Sequence, residues 1–202
     1  MTIVDILFYI LIIYVIFLKI TITIRLLIRT MLRNLLIKTV PILNDNNIEY
    51  WIDFGTLLGL HRDKDIIIGD TDCDICIWKK DEDKIRPILQ SFAKSNRNIT
   101  FREYDWGAFR IILWFFYIDI YKADIDESTK MVIIPSSFTT PLYLLDTFET
   151  LELPIHNTTI KIRQPTKWEK LLEFRYTENW KKRLHKWWLG YFSLHNTKLC
   201  SE

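Results

Sequence analysis

"DFGTLLGLHRDKDIIIGDTDCDICIW", residues 53–78, decides what kind of chain this is. Asp70, Asp72 and Asp74 alternate with Thr71, Cys73 and Ile75 in a stretch otherwise apolar enough to be buried. In a strand, residues i, i+2 and i+4 share one face. The three carboxylates then point together, while Thr71, Cys73, Ile75 and Ile77 point into a core. Neighbouring carboxylates on such a face stand about 7 Å apart by strand rise. At an effective dielectric of roughly 20, each adjacent pair repels by about 2 kcal/mol. A divalent cation between them reverses the sign of that energy, and oxygen donors suit Mg²⁺ or Mn²⁺.

Other readings of Asp-x-Asp-x-Asp compete. An acidic edge strand facing water is the default for an isolated example. An EF-hand loop fails, because its sixth position is Ile75 instead of Gly and its twelfth is Asp81 instead of Glu. Cys73 and Cys76 cannot share one ion from a strand, since they point to opposite sides. The upstream residues favour the metal. "EYWIDF" reads as a strand, and Gly55-Thr56 opens a helix over "TLLGLHR". Glycine lets a phosphate approach the backbone, and a helix N-terminus offers N–H groups and a positive dipole. Thr56 adds a hydroxyl and Arg62 a guanidinium fork. The aspartates follow Thr56 by about fourteen residues, which sets a phosphate cradle beside a metal platform.

"YWIDFGTLLGLHRDKDIIIGDTDCDI" resembles the signature of the LicD and fukutin family, which belongs to the nucleotidyltransferase superfold with DNA polymerase β. Tyr50, Gly55, Thr56, Leu57, Leu58, Gly59, Arg62, Asp70, Asp72 and Asp74 meet the pattern. "YIDIY" resembles the family's later aspartate strand and supplies Asp119, and "WEKLLEFRYTENW" resembles its closing element. Two positions depart. The family usually has Trp where this chain has Gly69, and Tyr-Gly where it has Tyr176-Thr177. The resemblance implies an α+β, polymerase β-like mixed sheet flanked by helices. It also implies transfer of a phospho-alcohol, of the phosphocholine or ribitol phosphate kind, from a CDP-activated donor to a glycan hydroxyl. Asp72, Asp74 and Asp119 are then catalytic and metal-binding, with Asp119 helping to deprotonate the acceptor. Asp70 joins as a further metal-side carboxylate, and Gly55, Thr56 and Arg62 hold the donor phosphates.

Outward from this core, the first forty residues differ from the rest. Ile6 to Ile24 is a nineteen-residue apolar run with Lys19 as its only charge. That approaches the roughly 20 residues that cross a bilayer as a helix. A core helix or an interfacial helix is the alternative. Arg25, Arg29, Arg33 and Lys38 follow the run, which by the positive-inside rule keeps the catalytic domain on the cytoplasmic side of a single-pass anchor. Helical spacing continues to Val40, and Pro41 marks a break or bend. The chain divides into an anchor with a basic amphipathic segment (1–38), a domain (39–182) and a basic aromatic tail (183–202).

Inside the domain, "DEDKIRPILQSFAKS" is helical from near Lys84, with Pro87 close to its start. "ITFREY", "AFRIILWFFYIDIY" and "MVIIP" read as strands, "LELPIHNTTIKI" as a hairpin, and "PTKWEKLLEFRY" as a helix capped by Thr166. His61 reads as a surface helix position. The tail, with Trp187, Trp188, His185 and His195, reads as a helix docking aromatics on the core with a solvated basic face, against the alternatives of a helix on anionic lipid headgroups or aromatic stacking on a base or sugar ring. Apolar residues are 49% and charged residues 26% of the 202, so the chain is not a disordered one. A net charge of +2, with no basic stripe through the middle of the sequence, gives no support to a nucleic-acid partner, and none is expected. Three cysteines argue against a disulfide framework. The competing functions are a DxD-type glycosyltransferase using a nucleotide sugar, a nucleotidyltransferase proper, and an inactive membrane-tethered binding module.

Overall fold

A computed structural model describes residues 2–135, 138–155 and 158–182. The tail expected over residues 183–202, with His185 and His195, lies outside the described residues. Helix α1 spans Ile3–Asp45. Thr2 caps it, accepting from the Asp5 N–H at 3.2 Å while Asp5 accepts from the Thr2 N–H at 2.7 Å, a reciprocal capping box. Thr21, Thr23 and Thr30 turn their hydroxyls back onto the carbonyls one turn earlier, so these polar groups are satisfied within an apolar helix. Pro41 sits inside the helix and does not end it. The missing N–H there is outweighed by the packing of the last turns, where Leu32, Leu35, Leu36, Val40 and Leu43 are fully buried. The helix therefore runs unbroken through the boundary expected after residue 38. From Ile3 to Leu27 its apolar side chains lie bare except Leu18, which is half-buried, and this is the one helix among the described residues long and apolar enough to cross a membrane.

The remainder is an α+β domain, as expected. Strand β1 (Tyr50–Ile52) leads into α2 (Phe54–Arg62), β2 (Asp72–Trp78), α3 (Glu82–Ser95), β3 (Ile99–Tyr104), β4 (Ala108–Leu113) and β5 (Phe116–Asp126). Then come β6 (Met131–Ile134), β7 (Phe138–Pro141), the hairpin β8 (Phe148–Ile155) and β9 (Thr158–Pro165), and α4 (Trp168–Tyr176). The mixed sheet has the order β1-β2-β5-β4-β3, extended by β6 and β7 from the far half of β5. Only β2 and β5 run parallel within it, and the neighbouring pairs are antiparallel. Strand β2 is thus interior, with partners on both sides, which removes the reading of an acidic edge strand. Cys73, Ile75, Ile118, Ile120, Phe109 and Ile111 share one face by this register and are all fully buried. The tyrosine that begins β1 locks the β8–β9 hairpin in place. Tyr50 donates to Asn44 Oδ1 at 3.0 Å and accepts from the Arg163 N–H at 3.2 Å, and burial pushes its phenol up to about 12.

Three elements differ from the sequence reading. "AFRIILWFFYIDIY" is two strands, with Leu113 opposite Phe116 across a two-residue turn at Trp114 and Phe115. Trp114 adopts φ 63°, a left-handed conformation usually left to Gly or Asn in such turns, so nothing in the apolar run announces it. Helix α3 starts at Glu82, not Lys84, because Arg86 holds its first turn. Arg86 donates to Glu82 at 2.5 Å, Asp83 at 2.6 Å and Glu103 of β3 at 3.0 Å. Thr166 does not cap α4. Its hydroxyl bonds that of Thr147 at 2.5 Å, and the helix begins after Lys167 without a side-chain cap.

Candidate active site

The site forms where β1 ends. Asp53 caps α2, its Oδ1 accepting from the Phe54 N–H at 2.7 Å. Phe54 takes φ 47° to turn the chain from strand to helix. Gly55 then faces the carboxylates: a Cβ on it would lie 3.3 Å from Asp70 Oδ2 and 3.5 Å from Asp74 Oδ2. Glycine here lets a helix N-terminus and two carboxylates share one small space. Thr56 is buried, and its Oγ1 accepts from the Asp74 N–H at 2.7 Å, pinning the aspartate strand to α2. Gly59 is required by packing, since a Cβ would meet the Asp65 carbonyl oxygen at 2.7 Å. That close approach seats the 63–70 loop that carries Asp70. Arg62 pairs with Asp63 at 3.1 Å, and its charge partly offsets the repulsion felt by Asp70.

The register brings the expected aspartates together. Asp74 stands opposite Asp119 on the parallel strand β5, and Asp72 opposite Tyr117. Arg110 on β4 stands opposite Asp119 and grips it through both oxygens, at 2.5 and 2.9 Å. Its guanidinium lies over the Tyr117 ring at 3.8 Å and the Tyr104 ring at 4.9 Å. Burial pushes Asp70 up to about 7, with Asp72 adding to it. Burial and then Asp119 raise Asp72. Burial, then Asp72, Asp119, Asp53 and Asp70, hold Asp74 far above the ordinary carboxylate range. The same charges, behind burial, raise the Tyr121 and Tyr176 phenols.

A network of buried acids that repel one another is a network with affinity for positive charge. Its donors are all carboxylate oxygens, the set that a hard divalent cation prefers, and the residues fit such an ion chemically. Among the described residues, no three His, Cys, Asp or Glu side chains are grouped as ligands around one point. Arg110 occupies Asp119 instead. A carboxylate has roughly four lone-pair sites, so Asp119 can share itself between Arg110 and another partner.

Sequence reasoning missed several residues of the site. Arg175 of α4 donates to both oxygens of Asp53, at 2.8 and 2.6 Å, and packs over the Phe54 ring at 4.2 Å. Both members of the pair are buried. Arg110 and Asp53 carried no local signal beyond being charges within apolar strands. His61 is not a surface residue: it is half-buried, 2.8 Å from Gln164 Oε1 and stacked on Trp168 with centroids 3.6 Å apart. Thr177, after the closing helix, has φ 70° and ψ 173°, a backbone region that glycine alone adopts freely. The Tyr-Gly of the resembled pattern falls at this step.

The sequence profile described as LicD/FKTN/FKRP, nucleotidyltransferase domain, matches residues 47–158, more than half of the chain. An uncharacterized protein of Rickettsia prowazekii (strain Madrid E) is 40% identical over 70 residues, 35% of this chain and 26% of that protein. One of Rickettsia typhi (strain ATCC VR-144 / Wilmington) is 44% identical over 63 residues, 31% of this chain and 20% of that protein. The matched region thus spans about a quarter or less of these relatives' length. Among solved structures, the antibiotic-resistance factor ANT(2'')-Ia is similar, with 15% identity and a TM-score of 0.46 over 79% of this chain and 77% of that one. The lincomycin-bound lincosamide antibiotic adenylyltransferase LnuA shows 15% identity and a TM-score of 0.41 over 68% and 82%.

Proposed function

The chain belongs to the LicD/FKTN/FKRP nucleotidyltransferase-domain family, and from that premise we propose that it is a metal-dependent transferase. It would move a phospho-alcohol group from a CDP-activated donor to a glycan hydroxyl. The observation that carries this reading is the convergence of Asp70, Asp72 and Asp74 with Asp119 at the Gly55 end of α2. Asp72, Asp74 and Asp119 would hold Mg²⁺ or Mn²⁺, with Asp70 beside them. A bound divalent cation would supply charge neutralisation to the donor's diphosphate. The N-terminus of α2 presents its positive end to the same space, favouring phosphate there. Arg62, felt by Asp70, and Arg110, felt by Asp72, add fixed positive charge to the carboxylate cluster. Arg110 also fixes Asp119 in orientation, leaving it lone pairs toward the acceptor hydroxyl. The buried Asp53–Arg175 pair holds α4 and Tyr176 against the site, which excludes water from one side of it. Bare apolar residues up to Leu27 make α1 a candidate single-pass anchor, with the basic residues after it favouring a cytoplasmic catalytic domain.

The test is thermal stability of the full chain in detergent with CDP-choline, CDP-ribitol, UDP-sugars or ATP, each with and without Mg²⁺ or Mn²⁺. A ligand at 100 times its Kd adds roughly 2.7 kcal/mol of stability. Stabilisation by a CDP compound only with metal, and lost in Asp72→Asn, is the expected result. A response to UDP-sugars alone would replace this reading with the glycosyltransferase. Free diphosphate released during turnover would replace it with nucleotidyl transfer. No nucleotide response at all would leave a tethered binding module.

A further inference from the structure

The turn between β4 and β5 is the most exposed aromatic feature of the domain. Trp114 is 68% and Phe115 83% accessible, in a sheet whose other large apolar residues are mostly covered. Trp114 also holds a left-handed φ of 63° that a glycine would take without cost. A bulky aromatic kept at a strained, exposed turn needs a use for its side chain.

Its surroundings indicate the use. Leu113, Trp114 and Phe116 line a cleft of 280 Å³ whose other wall is α1, through Met31 and Ile37. The cleft's helix residues, Met31 to Lys38, follow Leu27, the last bare apolar residue of α1, by four to eleven residues, about 6–17 Å along the helix axis. The polar layer of a bilayer leaflet is about 5–7 Å deep beyond its hydrocarbon. The near end of the cleft therefore reaches headgroup level if the bare part of α1 is in lipid, which brings the turn beside that layer, and aromatic side chains are enriched at that level. The strand register agrees. β1 is antiparallel to β2, and α1 enters the sheet from the Asp72 end, so the helix leaves the domain on the edge that carries Asp72, Tyr117 and the turn. Arg29 and Arg33 pair with Asp65 of the 63–70 loop on that edge, with side chains still partly exposed, a position suited to lipid phosphates.

We propose that the β4–β5 turn, through Trp114 and Phe115, is a second contact with the lipid bilayer, so that the carboxylate edge of the sheet faces the membrane surface. The proposal rests on α1 being the membrane anchor, and its partner is the lipid surface itself. Continuity with the bare apolar helix is what identifies that partner.

The test places an environment-sensitive fluorophore on single cysteines in a Cys200→Ser background. Cys73 and Cys76 are buried and stay unlabelled. The sites are Ile13→Cys in α1, Phe115→Cys in the turn, and Glu127→Cys at the far end of β5, roughly 40 Å away along the strand. The full chain is reconstituted in phosphatidylethanolamine–phosphatidylglycerol vesicles with spin-labelled lipids or aqueous iodide as quenchers. The expected result is lipid quenching at 13 and at 115, a blue-shifted emission at 115, and iodide quenching alone at 127. Lipid quenching at 13 with aqueous behaviour at 115 overturns the second contact and leaves the anchor standing. Protection at 115 from both quenchers overturns it in favour of a protein partner, such as a second copy. Iodide quenching at 13 overturns the anchor and this proposal together. Trp114→Cys gives an independent probe of the same turn.

Discussion

Asp53 and Arg175 lie 122 residues apart in sequence and meet in a buried ion pair with two hydrogen bonds, of 2.8 and 2.6 Å. The pair ties the closing helix α4 to the turn from which α2 starts. Asp53 is also the cap of α2 and accepts from the Trp51 indole at 3.3 Å, so one carboxylate organises three elements.

Removing Arg175 leaves that carboxylate uncompensated. Arg175→Met is expected to destabilise the fold by about 3–5 kcal/mol. Denaturant unfolding measures it. The double variant Asp53→Asn with Arg175→Met is expected to recover part of the loss, since no buried charge then remains without a partner.

Asp74 shows the opposite balance. Its burial among Asp70, Asp72 and Asp119 costs stability when no cation is present. Asp74→Asn is expected to leave the metal-free protein as stable as the parent or more stable, while lowering transfer by more than ~100-fold. Melting temperature without metal and single-turnover assays with metal report the two effects separately.

Asp70 makes the metal-free protein pH-sensitive. Its carboxyl rises from the usual 3.8 to about 7 on folding. Between those values the folded state binds a proton that the unfolded state has released, so its contribution is complete below 3.8 and is lost as pH rises through about 7. Stability without metal is expected to fall across this window, with a slope of at most about 1.4 kcal/mol per pH unit from this group. Asp70→Asn is expected to flatten the profile, as read by thermal melts from pH 4 to 8.

Thr177 sits at φ 70° and ψ 173°, where a side chain costs about 1–3 kcal/mol. Thr177→Gly is expected to stabilise the protein by about 1 kcal/mol, a result a chemical melt can resolve. A change in turnover is not expected, because the Thr177 hydroxyl and carbonyl accept from the N–H groups of Asn179 and Trp180, just after it in the chain.

Much of this site was legible because it is local. Gly55, Thr56 and the alternating aspartates lie within twenty residues, and strand periodicity alone aligns three carboxylates. Asp119 entered through a resemblance, and the parallel pairing of β2 with β5 sets it opposite Asp74. Arg110, Arg175 and His61 were not legible. Their roles come from partners that sequence does not bring near, across β4–β5, between α4 and α2, and against Gln164. The β4–β5 turn was hidden for another reason: its residues, Trp and Phe, are strand formers, and only backbone strain reveals it. At Pro41 the helix does not break, because buried apolar residues on both sides outweigh one missing hydrogen bond.

The unbroken α1 also has a consequence for biogenesis. Leu32, Leu35, Leu36, Val40 and Leu43 leave the ribosome before any strand of the sheet they will cover. If the apolar half of the helix is taken into the bilayer as it emerges, these leucines wait at the membrane surface for β2 and β5, with their backbone already helical. The nucleation cost of that helix is then met before the domain folds. The late sheet assembles onto a template held at one place and one orientation. Release of the nascent chain into solution would forfeit that order of events, and would expose the same leucines to aggregation until β5 is made.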